Sequence, residues 1–422
     1  MTHDTALPLL RQRSRGLSPC PLPAIEARPA PTSLYLHVPF CFHKCHYCDF
    51  YSIVDSRGRQ APFAARLERE IDALAAWHAG RGGGPLETIF IGGGTPTLLE
   101  IPHWDRILAA IGRSFDLSAD LEFTVECNPE TASAELFALL ASGTVNRISI
   151  GAQSFDPHLL RVLERWHDPD NVGRAIQLAR GAGIGRASLD LIFAIPGQTC
   201  QAWDADLRRA LALDPDHLSC YCLTFEPGTA ITQKRDMGRI VPTSDEVAAE
   251  MQEHCLRTLD AAGFARYEVS NFARPGEACR HNLAYWRQDQ WLAAGPSASA
   301  HVGGHRWKVD PHLDRYLSAQ DDLAPVTDHE TPDPRRALAE RLMTGLRIAE
   351  GVAVASIMSA GADVDPAGPE RLQRAARDAV ARGWLHDDDA TWRPTDTGFL
   401  FADALALSFM SALDPDDRSP RA

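Results

Sequence analysis

The stretch Tyr35-Leu-His-Val-Pro-Phe-Cys41-Phe-His43-Lys-Cys45-His46-Tyr47-Cys48-Asp-Phe50 carries the densest chemistry in the 422-residue chain, with three cysteines inside eight residues. It opens on a short aromatic and β-branched run, Leu34–Val38, of the kind that forms a strand. The thiols follow where such a strand would end. Thiolate sulfurs suit iron–sulfur clusters, and the Cys41-x3-Cys45-x2-Cys48 spacing lets one loop wrap one cluster. A four-iron cluster ordinarily takes four thiolates, so three leave one iron open, much as a catalytic zinc keeps one position free. An open iron accepts a small chelate, and the amino and carboxylate groups of S-adenosylmethionine form one. An electron passed into the adjacent sulfonium would break its S–C bond and yield an adenosyl radical. The competing reading is a Cys3His zinc site that uses His43 or His46.

Outward from the triplet, the same unit repeats. Further strand-like runs occur at Thr88–Ile91, Leu121–Cys127, Arg147–Ala152, Ala187–Phe193 and Leu218–Phe225. Each is separated from the next by enough chain for a crossover helix. One amphipathic stretch places Leu159, Val162, Leu163 and Trp166 on a single helical face. Thr243 to Glu246 reads as a capping box that opens a helix running to about Gly263. The alternation implies an α/β fold with parallel strands and helices outside, and six units are fewer than the eight of a closed barrel. The expectation is a partial (β/α)6 TIM-like barrel over residues 33–265. Cys41, Gly92-Gly93-Gly94, Asn128-Pro129 and Gln153 stand directly after successive strands, so the topology gathers them at one mouth.

Beyond the barrel, residues 266–330 show no strong helical period and read as an extension. Residues 331–422 read as a small winged-helix-like domain: helices near Pro334–Leu346 and Glu370–Arg382, a hairpin near Trp384 and Trp392, and a helix over Gly398–Met410. Residues 1–32, with six prolines, read as a disordered tail without an apolar signal segment. The formal net charge of −14 argues against nucleic-acid binding. No run approaches the ~18–20 apolar residues of a membrane span. Ten cysteines in so long a chain are no secreted disulfide framework, and a cytoplasmic location with reduced thiols is expected.

Gly92-Gly93-Gly94-Thr95-Pro96-Thr97 follows a strand and precedes a helix, where glycines let a ligand approach the backbone; no Lys-Ser/Thr follows, which excludes a P-loop. A bare turn is the plainer reading of this segment taken alone.

Together, the cysteine loop from Tyr35 to Phe50, this glycine turn, Glu126-Cys-Asn-Pro129, Gly151-Ala-Gln153-Ser-Phe155, Arg165 and Asp190 resemble the radical S-adenosylmethionine superfamily. The likeness is narrower to the branch that holds oxygen-independent coproporphyrinogen III oxidase and the heme chaperone HemW, and it runs from about residue 33 to residue 410. It implies Cys41, Cys45 and Cys48 as ligands of a [4Fe-4S] cluster. It also implies Tyr35, Tyr47, Gly93, Gly94, Thr95, Glu126, Gln153, Arg165 and Asp190 as S-adenosylmethionine contacts. Carboxylates can hold ribose hydroxyls and the ammonium, and Arg165 can meet the ligand carboxylate as a fork.

Two features separate the branch members. The oxidase pattern carries a fourth cysteine two residues after the third, where this chain has Phe50. His281-Asn-Leu-Ala-Tyr285-Trp286 matches the chaperones' His-Asn-x-x-Tyr-Trp signature and implies His281 as a heme-binding residue. The plain alternative for His281 is a solvated or capping loop histidine, and Cys279 is a competing soft ligand. The likeness therefore implies heme as cargo and acceptor hemoproteins, such as respiratory-chain cytochromes, as partners, with peripheral contact to those bound in membranes. The runner-up is an enzyme that oxidatively decarboxylates coproporphyrinogen propionates.

Overall fold

The computed structural model describes residues 16–413. Its centre is a run of parallel strands: β1 (Ser33–Val38), β2 (Leu86–Gly93), β3 (Leu117–Cys127), β4 (Arg147–Gln153), β5 (Arg186–Phe193) and β6 (His217–Cys222), each hydrogen-bonded to the next in sequence order. Short strands β7 (Ala265–Arg266) and β8 (Asn271–Ala273) extend the β6 edge antiparallel. On the other edge β9 (Trp291–Ala294) pairs parallel with β1, and β10 (Ser299–Val302), β11 (His305–Val309) and β12 (Val326–Glu330) continue antiparallel. The expected partial barrel is thus the core of a twelve-stranded sheet.

Alternation along the strands sorts the side chains. Leu34, Leu36, Val38, Ile89, Ile91, Phe123, Val125, Ile148, Ile150, Leu189 and Leu191 are fully buried, packed in one core with Phe63, Leu67 and Ile71 of the helix Gln60–Ala79. The positions between them are the polar ones: Tyr35 and His37, Thr88, Glu122, Thr124 and Glu126, Arg147, Ser149 and Gln153, Ser188 and Asp190, His217 and Ser219. Period two therefore sends the apolar set outward to the helices and the polar set inward. Contacts inside agree, since Ser149 donates to Asp190 at 3.2 Å and Ser188 shares a hydrogen bond with His217 at 2.8 Å.

A second core lies in the C-terminal unit, built on Leu338, Leu342, Ile357, Leu372, Trp392 and Phe409. It contains a three-stranded sheet of β13 (Val352–Ala353), β15 (Thr391–Pro394) and β14 (Leu385–Asp387). The helix Val354–Val364 is an addition to the expected order. Arg287–Glu350 (2.5 Å) and Arg306–Glu340 (2.6 Å) pin this unit to the barrel.

Several expectations need correcting. Residues 16–32 are not a free tail: Leu22, Ile25 and Ala27 are buried in the main core, and Arg81 donates to the Ile25 carbonyl at 2.8 Å. The first fifteen residues lie outside those described. The capping residue of the helix Asp245–Ala261 is Ser244, whose hydroxyl accepts from Val247, while the Thr243 hydroxyl is turned to the Ala194 carbonyl at 3.0 Å. The helix expected to carry Trp166 ends at Val162, because Glu164 enters the left-handed region at φ 51°. His281 stands not in a loop but in the first turn of a helix, Arg280–Trp286.

Candidate functional site

The cysteine loop is closed on itself by a parallel bridge, Cys41 N–H to the Ile53 carbonyl and Ile53 N–H to the Pro39 carbonyl, both 2.8 Å. Its base is stitched to the glycine turn: Gly94 N–H donates to Val38 and Thr95 N–H to Phe40, each at 2.7 Å. Glycine is required there by space. A Cβ on Gly94 would stand 2.7 Å from the Phe40 carbonyl oxygen, and one on Gly93, at φ 113°, would enter the His37 ring. The turn thus serves as the seat of the cysteine loop as well as a ligand-facing edge.

Cys41, Cys45 and Cys48 open onto a cavity of about 1480 Å3. That is more than the ~300–1,000 Å3 of an ordinary small-molecule pocket. Thr95 donates its hydroxyl to Cys41 Sγ at 3.5 Å, and Arg165 Nη1 lies 3.8 Å from Cys45 Sγ. Burial pushes the Cys41 thiol up, and pushes Cys48 up to about 11. Both thus hold their protons until a metal displaces them. Among the described residues no three Cys, His, Asp or Glu groups converge on a single metal ion.

The same cavity is lined by two acids and one fixed cation. Glu126, at the end of β3, accepts from Gly93 N–H at 3.0 Å and is pushed up to about 7, first by burial and then by the Asp190 charge. Burial also raises Asp190. Arg165 donates to the Gly151 carbonyl at 3.0 Å, while its Nε is buried with no partner among the described residues. A guanidinium with an unused donor, on one cavity with two carboxyls whose protons burial holds up, has the donor set for a ligand with both charges, an amino acid headgroup among them. Tyr47, Gly93, Gly94, Thr95 and Gln153 line the same cavity, the last at φ 62° on a β-bulge. Three thiols, an acidic pair and an unsatisfied arginine on one cavity fit a cluster with S-adenosylmethionine at its open iron.

Tyr35 and His281 stand elsewhere. The Tyr35 hydroxyl hydrogen-bonds with His37 Nδ1 at 3.0 Å and its ring stacks on Phe90, one layer below the cavity. His281 is buried away from the cavity, among residues of β2 and β3. Its Nδ1 hydrogen-bonds with the Thr88 hydroxyl (2.8 Å), its Nε2 with the Tyr285 hydroxyl (2.9 Å), and its ring stacks on Phe90 at 5.5 Å. Burial lowers it to about 3, so it is neutral. Beneath it the fully buried Glu122 carboxylate accepts from the backbone N–H groups of Arg280 (3.0 Å) and His281 (2.9 Å) and from Cys279 Sγ (3.4 Å). Sequence reading passed over Glu122; the signal was a carboxylate at an inward strand position, two before Thr124 and four before Glu126.

A model of the radical SAM superfamily matches residues 35–210, and one of the HemN C-terminal domain matches residues 333–401. The heme chaperone HemW of Bacillus subtilis is 34% identical over 385 residues, which is 90% of this chain and 100% of that one. The chain belongs to the HemW family of radical SAM proteins. HemW of Escherichia coli is likewise 34% identical, over 393 residues and 98% of its length. In fold, this HemW-family chain superposes on the coproporphyrinogen III oxidase HemN of Escherichia coli with a TM-score of 0.80 at 22% identity, covering 95% of each chain. No helix of the described residues is long and apolar enough to cross a membrane.

Proposed function

We propose that this HemW-family chain binds heme and passes it to acceptor hemoproteins, with a [4Fe-4S] cluster on Cys41, Cys45 and Cys48 and S-adenosylmethionine as its resident groups. The observation that carries the reading is that the thiol loop and Glu126, Asp190 and Arg165 line one cavity, larger than one small ligand needs. When bound, the cluster supplies an electron and an open iron for the amino and carboxylate groups of S-adenosylmethionine. The chain's own contribution is placement. Arg165 would meet the ligand carboxylate, Glu126 and Asp190 the ribose hydroxyls and ammonium, and Tyr47, Gly93, Gly94, Thr95 and Gln153 would shape the remaining wall. Phe50, where the oxidase pattern has a fourth cysteine, favours the chaperone over the decarboxylase. His281, named by the signature, reaches heme only if its bonds to Thr88 and Tyr285 open. Tyr35 would act through His37, which lies under Gly93.

An anaerobic heme titration of the cluster-loaded protein tests the reading. Saturable uptake near one heme per chain is expected. No specific uptake, together with turnover of coproporphyrinogen III under reductant, would replace the chaperone with the oxidase.

A further inference from the structure

Of the 42 basic residues in the chain only three are lysines, Lys44, Lys234 and Lys308. Two of them stand at the cysteine loop, Lys44 exposed within it and Lys234 against it. Lys234 belongs to the short helix Ala230–Asp236. That helix is anchored by the buried Ile231, which packs with Leu159, Leu163, Ile192 and Ile195 in a small core that Tyr47 also touches. Lys234 Nζ lies 3.0 Å from His46 Nδ1. An ammonium only donates, so this nitrogen accepts. The His46 backbone is held as well: its N–H donates to the Leu163 carbonyl at 3.2 Å, and its carbonyl accepts from the Ile231 N–H at 3.0 Å. One nitrogen of an imidazole that a Cys3His zinc site would draw on is thus taken by an ammonium. The arm between Cys45 and Cys48 is fastened to a helix that presents one full charge.

We propose that Lys234 tunes the cluster held by this loop: its ammonium, fixed through His46, raises the potential at which the cluster accepts an electron. The inference rests on the cluster reading above and deepens it. Reduction adds one negative charge to a group already bound by three thiolates, so a fixed cation beside the loop favours the reduced form. Lys234 is half-buried, which spares its charge part of the screening that an exposed one meets. Arg165, 3.8 Å from Cys45 Sγ, is a second such cation. Against them stand Asp49, exposed on the loop, and Glu164, 4.0 Å from His43. Lysine suits the place because a compact point charge meets a single ring nitrogen, whereas a guanidinium spreads its charge over a planar fork.

Redox titration of the cluster-loaded protein, with dithionite as electron donor and EPR of the reduced cluster as readout, tests the assignment. Lys234→Gln can still donate to His46 but carries no charge. At a fixed potential its ratio of reduced to oxidised cluster should fall about threefold or more, which is about 30 mV for a one-electron couple. Lys234→Glu should move the ratio further in the same direction, and Lys234→Arg should return it toward the wild-type value. Iron and sulfide are counted on each variant, and the titration reads only the fraction that holds cluster, so incomplete reconstitution does not mimic a shift. A wild-type potential in both Lys234→Gln and Lys234→Glu overturns the proposal. So does an equal shift in Lys234→Arg and Lys234→Gln, which would make packing rather than charge the cause. Wild-type protein that takes up no iron and sulfide overturns instead the cluster reading on which the proposal rests.

Discussion

Glu126 accepts a hydrogen bond from Gly93 N–H at 3.0 Å, which ties the carboxyl ending β3 to the turn ending β2 and aims it at the cavity. Its proton is held up to about 7 by burial and by Asp190. S-adenosylmethionine brings a sulfonium and an ammonium, which favour the ionised carboxylate. Affinity should therefore rise with pH as Glu126 ionises through about 7 and fall below it, approaching tenfold per unit on the acid side. Calorimetric titration at pH 6 and 8 checks this (~two units spanning the shifted value). Glu126→Gln should flatten the profile, and a wild-type profile that is already flat would remove Glu126 from the contact set.

Arg165 holds the Gly151 carbonyl with Nη2, reaches Cys45 Sγ with Nη1 and leaves Nε unpaired. Arg165→Lys keeps the charge but removes the planar fork. It should weaken S-adenosylmethionine by about 1.5–3 kcal/mol, the worth of a hydrogen bond to a charged group, with cluster iron retained. Equal loss of iron and ligand would assign Arg165 to the cluster instead.

Gly94→Ala is a steric test of the seat. The added methyl would stand 2.7 Å from the Phe40 carbonyl oxygen, which is backbone and moves only with the cysteine loop. Overpacking of this kind costs about 1–3 kcal/mol. Reconstitution should yield less than stoichiometric iron from a chain whose circular dichroism is unchanged, and full reconstitution would show the loop free to shift.

Glu122→Ala should destabilise the packing around His281. Its carboxylate serves two backbone N–H groups and a thiol, of which the His281 N–H and the Cys279 thiol are buried and the Arg280 N–H half-buried. Leaving such donors unsatisfied costs about 1–3 kcal/mol each, so a loss on the order of 2–4 kcal/mol is expected in urea unfolding. A change within about 0.5 kcal/mol would mean that water enters and replaces the carboxylate.

The parallel core was legible because short runs rich in β-branched and aromatic residues recur with room for a crossover helix between them, and the chemistry after each run marked the shared mouth. The inward polar layer was legible in principle from period two, yet only Tyr35, Glu126, Gln153 and Asp190 were picked out, by family likeness and, for Gln153, by its place after a strand. Glu122, Thr88 and His217 were missed because an inward polar residue deep in a barrel looks like any strand residue until its partner is known. β9, four residues of Trp-Leu-Ala-Ala, is too short for a pattern, and its pairing with β1 depends on contacts far along the chain. The helix Val354–Val364 is rich in alanine, glycine and serine, which blurs its apolar stripe. The helix bearing His281 is seven residues long and is held by Glu122, a partner about 160 residues away, so no local signal announces it.

The bonds from Gly94 to Val38 and from Thr95 to Phe40 make the glycine turn and the root of the cysteine loop one piece. Whatever presses on the turn is passed to the thiols, so a ligand resting on Gly93 and Gly94 would be felt at the sulfurs without touching them.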